Sequence, residues 1–479
     1  MDIMDYALKG VAAIARRYGR KIQKERTAPE IPEAKPVDFK GSGYRAGFAK
    51  AEIMPDLNAG KTYYIAGHGS GHKMEGVLTP VYTSAVWIDS GEDHGVVWIG
   101  ADIVGLINVE VQLVRAKIAE SGKLPKDTVV NISCTHSHSG IDTVGYWGKP
   151  NLVNIPSNGK DDDYMNMMMD KMVEVAVEAY NNRKEGKLYT GSIMIPGGLS
   201  AGRHFVDRHE QLSRLRFVPS DGSREIWIMN FGAHPNSLGG SNRMLSGEYP
   251  YFMREEIYKS ANTEVLFGVG PIGGMDAAEL DKDDNLHCVK LQGKMIADAA
   301  LKIDNDRELA PGIRVLRQQF YIPVDNYVLT LLATRHVMSF TPYPDKTSLT
   351  GLALMSEMTY MTFGDQKVLL LPCESFVSTV FGGYYSAEKS ATGQGEEVNS
   401  TPLADIAEDH GMIVYCVSND FTGYLIPPND FVLHPTQPFL NTTRDRFDDR
   451  HYHETNSLGI RTQAAVADTF TKVIKNFNN

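Results

Sequence analysis

The chain has 479 residues, of which 42% are hydrophobic and 22% charged, with a net charge of -11. That length can bury a large core, while the acidic balance excludes a general nucleic-acid binder, which needs a basic surface. Cys134, Cys288, Cys373 and Cys416 are the only cysteines and share no Cys-x-x-Cys spacing. This excludes a zinc ribbon or dense disulfide framework and suggests reduced thiols in a cytoplasmic protein.

In chain order, MDIMDYALKGVAAIARRYGRKIQKERT predicts a helix with acidic residues at its start and Arg16, Arg17, Arg20, Lys21 and Lys24 toward its end, as the helix dipole favours. Its apolar run is short, is interrupted by Lys9 and precedes the positive charges, the reverse of a signal peptide. No segment is apolar for long enough to span a bilayer. The helix reads as a surface or homo-oligomer contact, with a membrane-surface role as the alternative. TAPEIPEAKPVDF reads as a Pro-punctuated linker, so residues 1–40 are expected to precede one main domain at 41–479.

From Gly43 onward strands and helices alternate without internal repeat. HGVVWIGADIVGL and DTVVNISCT read as strands, separated by the helix NVEVQLVRAKIAESG, which Gly122 closes. DDDYMNMMMDKMVEVAVEAYNNRKEGK reads as a long helix whose methionines pack a core. The strands REIWIMNFGAH and TEVLFGVGP enclose the helix YPYFMREEIYKSAN, and the helix DNLHCVKLQGKMIADAALKI follows. Finally, QKVLLLPCES and MIVYCVSND read as strands around the helix PLADIAEDHG. The alternation predicts an α/β fold of mixed β-sheets flanked by helices.

The chemistry gathers where apolar strands stop. VVNISC ends in Thr135-His136-Ser137-His138, IWIMNFGA in His234, VLFGVGPIGGM in Asp276, VLLLPC in Glu374 and IVYCVSNDFTG in Tyr424. Sheets of this kind bind ligands beyond the carboxyl ends of their strands, and imidazole plus carboxylate with one open position suits catalytic zinc. Each residue also has an ordinary alternative: a hydrogen-bonding histidine, or a glutamate capping the helix that follows. Near the N-terminus, the glycine-rich IAGHGSGHKMEG carries His68 and His72 and is expected to line the site's mouth.

CTHSHSG resembles the Thr-His-Thr-His-Ser-Gly motif of the neutral (non-lysosomal) ceramidase family. AGFAKAEIMP, VWIGADIVGL, FGAHPNSL, LPCESF and SNDFTGYLIPP are similar to further segments of that family. The resemblance implies zinc held by His136, His234, Glu374 and Tyr424, with His138 beside the metal. It also implies Arg203 near the substrate carbonyl as an oxyanion donor, the alternative being a surface salt bridge. Where the family's ceramidases carry Ser then Pro, this chain has Asp276 and Ala277, and it leaves no room for the family's C-terminal immunoglobulin-like domain.

The expected activity is therefore that of a zinc-dependent hydrolase in which activated water attacks the amide carbonyl of a small or amphiphilic N-acyl substrate. Asp276 acts as general base and His138 protonates the leaving group. Alternatives are an esterase or lactonase, or a non-catalytic binding protein with a structural zinc. In RFDDRHYHETNSLG, His451 and His453 are expected either to reach the pocket or to be structural.

Overall fold

The computed structural model describes residues 3–151, 155–201, 203 and 207–479. After helix α1 (Ile3–Glu25), strands β1 (Tyr44–Glu52), β2 (Tyr82–Asp89) and β3 (Gly95–Ala101) form an antiparallel meander. Helix α2 (Asn108–Ser121) ends at Gly122, whose φ of 61° completes a left-handed cap, and returns the chain to β4 (Val129–Cys134), parallel to β3. Helix α3 (Asp162–Asn181) leads into β5 (Lys184–Met194), β6 (Gln211–Pro219) and β7 (Ile226–Phe231), which run antiparallel. Helix α4 (Glu248–Ala261) then crosses over to β8 (Glu264–Val269), parallel to β7. The resulting order is β8-β7-β6-β5-β1-β2-β3-β4. This first sheet is antiparallel in its middle and has a parallel, helix-connected pair at each edge.

Helix α5 (Asn285–Leu301) leads to a second sheet. Its long strands β9 (Ile313–Val324) and β10 (Leu352–Phe363) pair antiparallel along their length, and α6 (Tyr327–Thr334) lies between them in sequence. Then come β11 (Gln366–Leu370) and, parallel to it, β12 (Ile413–Tyr415), before the closing helix α7 (Thr462–Asn478). The linker after α1 is tied to this sheet: Val37–Phe39 pairs with β9, and Gln318 bonds the backbone of Pro32 and Ala34.

The two sheets meet face to face. Val86, Ile88, Trp98, Leu215, Phe217, Ile228 and Leu266 pack against Met361, Phe363, Val368, Leu370 and Tyr415, with the Trp98 and Tyr415 rings 4.5 Å apart. The opposite face of the first sheet takes the helices: Met165, Met168, Met169 and Met172 of α3 are buried there, so its methionines are core residues.

The α/β architecture with mixed sheets flanked by helices is as the sequence predicts. Two local expectations differ: α3 stops at Asn181, so the basic residues after it belong to β5 and its approach, and PLADIAEDHG is helical only over Leu403–Ile406. Among the described residues, no helix is long and apolar enough to cross a membrane.

Candidate metal centre

The carboxyl ends of the parallel pairs converge. Past the end of β4 the chain turns at His136, whose φ of 60° lies in the left-handed region that a side chain seldom adopts. The turn brings His136 Nδ1 to 2.6 Å from the Val104 carbonyl, so Nδ1–H donates there and the Nε2 lone pair faces inward. His234, beyond β7, repeats the device with Nδ1 2.8 Å from the Met275 carbonyl. Glu374 and Tyr424 follow the second sheet's strands and pair in a short parallel ladder, Glu374–Ser375 against Tyr424–Leu425.

Glu374 Oε2 lies 3.0 Å from His234 Nε2 and 3.3 Å from His136 Nε2, while His138 Nε2 lies 3.1 Å from His136 Nε2. Nitrogen and oxygen ligands about 2.0–2.1 Å from a tetrahedral zinc stand about 3.3 Å from one another. The donor set and its spacing therefore fit a zinc ion. His136, His138 and His234 offer ring nitrogens that all lie within 4.8 Å of one another. Burial raises the Glu374 carboxyl, but the two imidazoles outweigh it and bring it down to about 2, so the group is a carboxylate. Burial, then the charge of Glu374 beside it, raises the Tyr424 phenol well above its usual range.

His138 is held differently. Burial, then the neighbouring His136, His68 and His234, push its pKa well below the usual range, so it is neutral, and its buried Nδ1 has no partner among the described residues. Gly67 packs on its ring: at φ 99°, a Cβ there would sit 2.4 Å from the imidazole. Asp276 pairs through the backbone with His234, and its Oδ1 accepts a 2.7 Å bond from Asn236.

These groups form the polar end of a cavity of about 660 Å³. His136, His138, His234, Asp276, Glu374 and Tyr424 all line it, and Trp147, Leu329, Met338, Phe340, Phe421 and Leu458 give it apolar walls. Gly67, His68, Gly69 and Ser70 of the glycine-rich loop line it, with the His68 ring 5.1 Å from that of His138; His72 is not among the lining residues. The loops are braced from behind. Buried Glu248, itself at φ 53°, accepts from Ser139 Oγ at 2.7 Å and from the Leu238 amide, tying the His138 loop to the His234 loop. Asp420 accepts from the Asn108 and Phe421 amides, both at 2.8 Å, and fixes Phe421 beside the His136 ring.

Arg203 is placed away from the cavity wall. Its side chain is only 8% exposed and its guanidinium is ion-paired with Asp430 and, at 3.0 Å, with Glu454, while stacking over Phe376. The ion pair offered by the sequence as the alternative is thus present, but buried rather than on the surface; it occupies both terminal nitrogens of the guanidinium and leaves the buried Nε without a partner among the described residues. His451 belongs to the same network, with Nδ1 2.6 Å from Glu454 and Nε2 3.2 Å from Asp445. His453 is buried among the rings of Phe376, Tyr424 and Tyr452. Between them in sequence, Tyr452 lines the cavity and touches Tyr424, a residue that the two flanking histidines obscured. In the acidic segment Asp281–Asp284, Lys282, Asp283 and Asp284 are exposed and Asp284 caps α5.

No known protein-family profile matches the chain. Its fold is that of the neutral ceramidases. The neutral ceramidase from Pseudomonas aeruginosa superposes with a TM-score of 0.67 at 15% identity, covering 91% of this chain and 75% of that one. A ceramidase complexed with C2 gives 0.65 at 14% identity, covering 90% and 74%.

Proposed function

We propose that the chain is a divergent member of the neutral ceramidase family and a zinc-dependent hydrolase that cleaves an N-acyl amide in a small or amphiphilic substrate. The observation that carries this reading is the convergence of Nε2 of His136 and His234 with the Glu374 carboxylate at the polar end of an apolar-walled cavity. His136, His234, Glu374 and Tyr424 hold the metal. A zinc ion in this donor set supplies Lewis acidity, polarising a carbonyl and making water more acidic.

The chain's own residues do the rest. The apolar walls take the acyl chain and orient the amide toward the histidines. Asp276 accepts a proton from the water that attacks the carbonyl carbon, and Asn236 fixes the carboxylate for that task. The proton taken from the attacking water passes through His138 to the leaving nitrogen as the C–N bond breaks, which returns the imidazole to its neutral resting form. Attack by water needs no protein nucleophile, so Asp276 in place of a serine is compatible with turnover. Arg203 positions the segment carrying Tyr452 through Glu454 and does not touch substrate. The four unpaired, buried cysteines support a reducing, cytoplasmic setting.

The test is turnover of N-acyl amides of graded chain length by the purified protein, with esters and lactones of the same acids as comparison. Amide cleavage that a chelator abolishes and zinc restores is the expected result. No turnover of any of the three classes with zinc bound would overturn the hydrolase reading.

A further inference from the structure

Helix α1 divides its surface sharply. Leu8, Ala15, Gly19 and Ile22 are buried, and the helix packs on α6 and on the short strand Pro342–Pro344. Gly19 meets the backbone of Thr350 so closely that a Cβ there would lie 1.8 Å from its carbonyl oxygen, and Gln23 bonds the Gly351 carbonyl. The apolar stripe is therefore consumed within the chain. The face left to solvent carries Lys9, Arg16, Arg17, Arg20, Lys21 and Lys24, all exposed. Among the described residues, Arg16, Arg17, Arg20 and Lys24 make no ion pair, and Lys21 reaches Glu25 only at 3.9 Å. A chain of net charge -11 thus concentrates positive charge on one helix face, and four of those charges have no ion pair among the described residues.

Two further observations point to the partner. Apolar side chains accompany the charges: Tyr6 is 64% exposed and Met4 and Ile14 are exposed on the helix, as is Leu349, next to the Thr350 on which Gly19 rests. The elements beneath the helix also belong to the cavity wall. Leu329 of α6, together with Met338 and Phe340 just beyond it, lines the metal-centre cavity. Phe340 and Phe421 are shared with an adjoining groove of about 450 Å³ whose exposed apolar residues are Val109 and Leu113.

We propose that the solvent face of α1 docks the protein on an anionic lipid surface. Basic residues supply the attraction, and Tyr6 and Ile14 enter the headgroup boundary, as interfacial helices combine these two kinds of contact. The exposed apolar residues favour lipid over nucleic acid, which offers no apolar layer to receive them. The choice of lipid over another polyanion leans on the amphiphilic-substrate reading above, because docking there sets the wall of the apolar cavity against the layer that holds such a substrate.

The experiment is co-sedimentation of the full chain with vesicles of phosphatidylcholine alone and of equal phosphatidylcholine and phosphatidylserine, at low and high salt. The comparison protein is the quadruple variant Arg16→Gln/Arg17→Gln/Arg20→Gln/Lys24→Gln, checked for unchanged circular dichroism. Each basic residue near an anionic surface contributes about fivefold to binding, so the variant loses about 10²- to 10³-fold in affinity. Binding to anionic vesicles only, released by salt and lost in the variant, supports the proposal. Equal binding of both proteins, indifference to phosphatidylserine, or self-association through α1 without vesicle binding overturns it. The His136→Ala/His234→Ala protein is run in parallel: binding needs no turnover, so failure of the hydrolase reading leaves this result standing, and the reverse.

Discussion

Asp420→Asn is the perturbation that most cleanly isolates one force holding the site. Burial pushes the Asp420 carboxyl up to about 7, against bonds from Ser356 and the Phe421 and Asn108 amides, and the charge of Glu357 adds to the rise. A folded-state value above the unfolded one means that the fold prefers the protonated acid. That preference is fully present below about pH 4 and is lost as pH rises through about 7, a difference of about 4 kcal/mol. Asparagine keeps the carbonyl-type acceptor for the two amides and offers an N–H to Ser356 Oγ, 2.6 Å from Asp420 Oδ2, without any charge to bury. With an unfolding entropy of about 2.1 cal/mol/K per residue, 479 residues convert this to a gain of about 4 °C in Tm at pH 8, shrinking toward zero at pH 4. Differential scanning calorimetry of both proteins across that range measures it. A variant less stable at pH 8, or a difference independent of pH, would show that the buried charge is needed and refute the reasoning.

Asp276→Asn is expected to cut turnover at least about tenfold, a loss of one proton acceptor, while leaving metal content unchanged by elemental analysis. Gly67→Ala forces a Cβ against His138 at a backbone angle that side chains avoid, so turnover falls with metal retained, and Tm drops by a strain of about 1–3 kcal/mol. Arg203→Met leaves Asp430 and Glu454 buried without their cation, costing about 3–5 kcal/mol. An Arg203 variant of normal Tm but low kcat would restore the oxyanion role to it.

The strand-end rule made much of this legible in sequence. β3, β4, β7, β8, β11 and β12 are short, mostly apolar and buried on nearly every residue, and His136, His234, Glu374 and Tyr424 follow β4, β7, β11 and β12. β9, by contrast, alternates between buried and half-exposed residues, and a half-buried strand carries a weaker signal in sequence than a continuous apolar run. Arg203 illustrates a different limit. Its partners Asp430 and Glu454 lie 227 and 251 residues away, and only tertiary structure reveals that its terminal nitrogens are held by them. Tyr452 was hidden for a related reason: in a loop without periodicity, sequence cannot say which of three adjacent side chains faces inward. His136 itself sits in a strained turn, a feature that marks functional positions once φ is known.

The central claim is a metal held by the strand-end histidines, and elemental analysis of the purified protein tests it most directly. The wild type, prepared without chelators and exposed to zinc, is predicted to carry about one zinc per chain, the count expected of a single tetrahedral donor set. The folded His136→Ala/His234→Ala variant is predicted to carry none. A metal-free wild type, or a variant that keeps its zinc, would contradict the account.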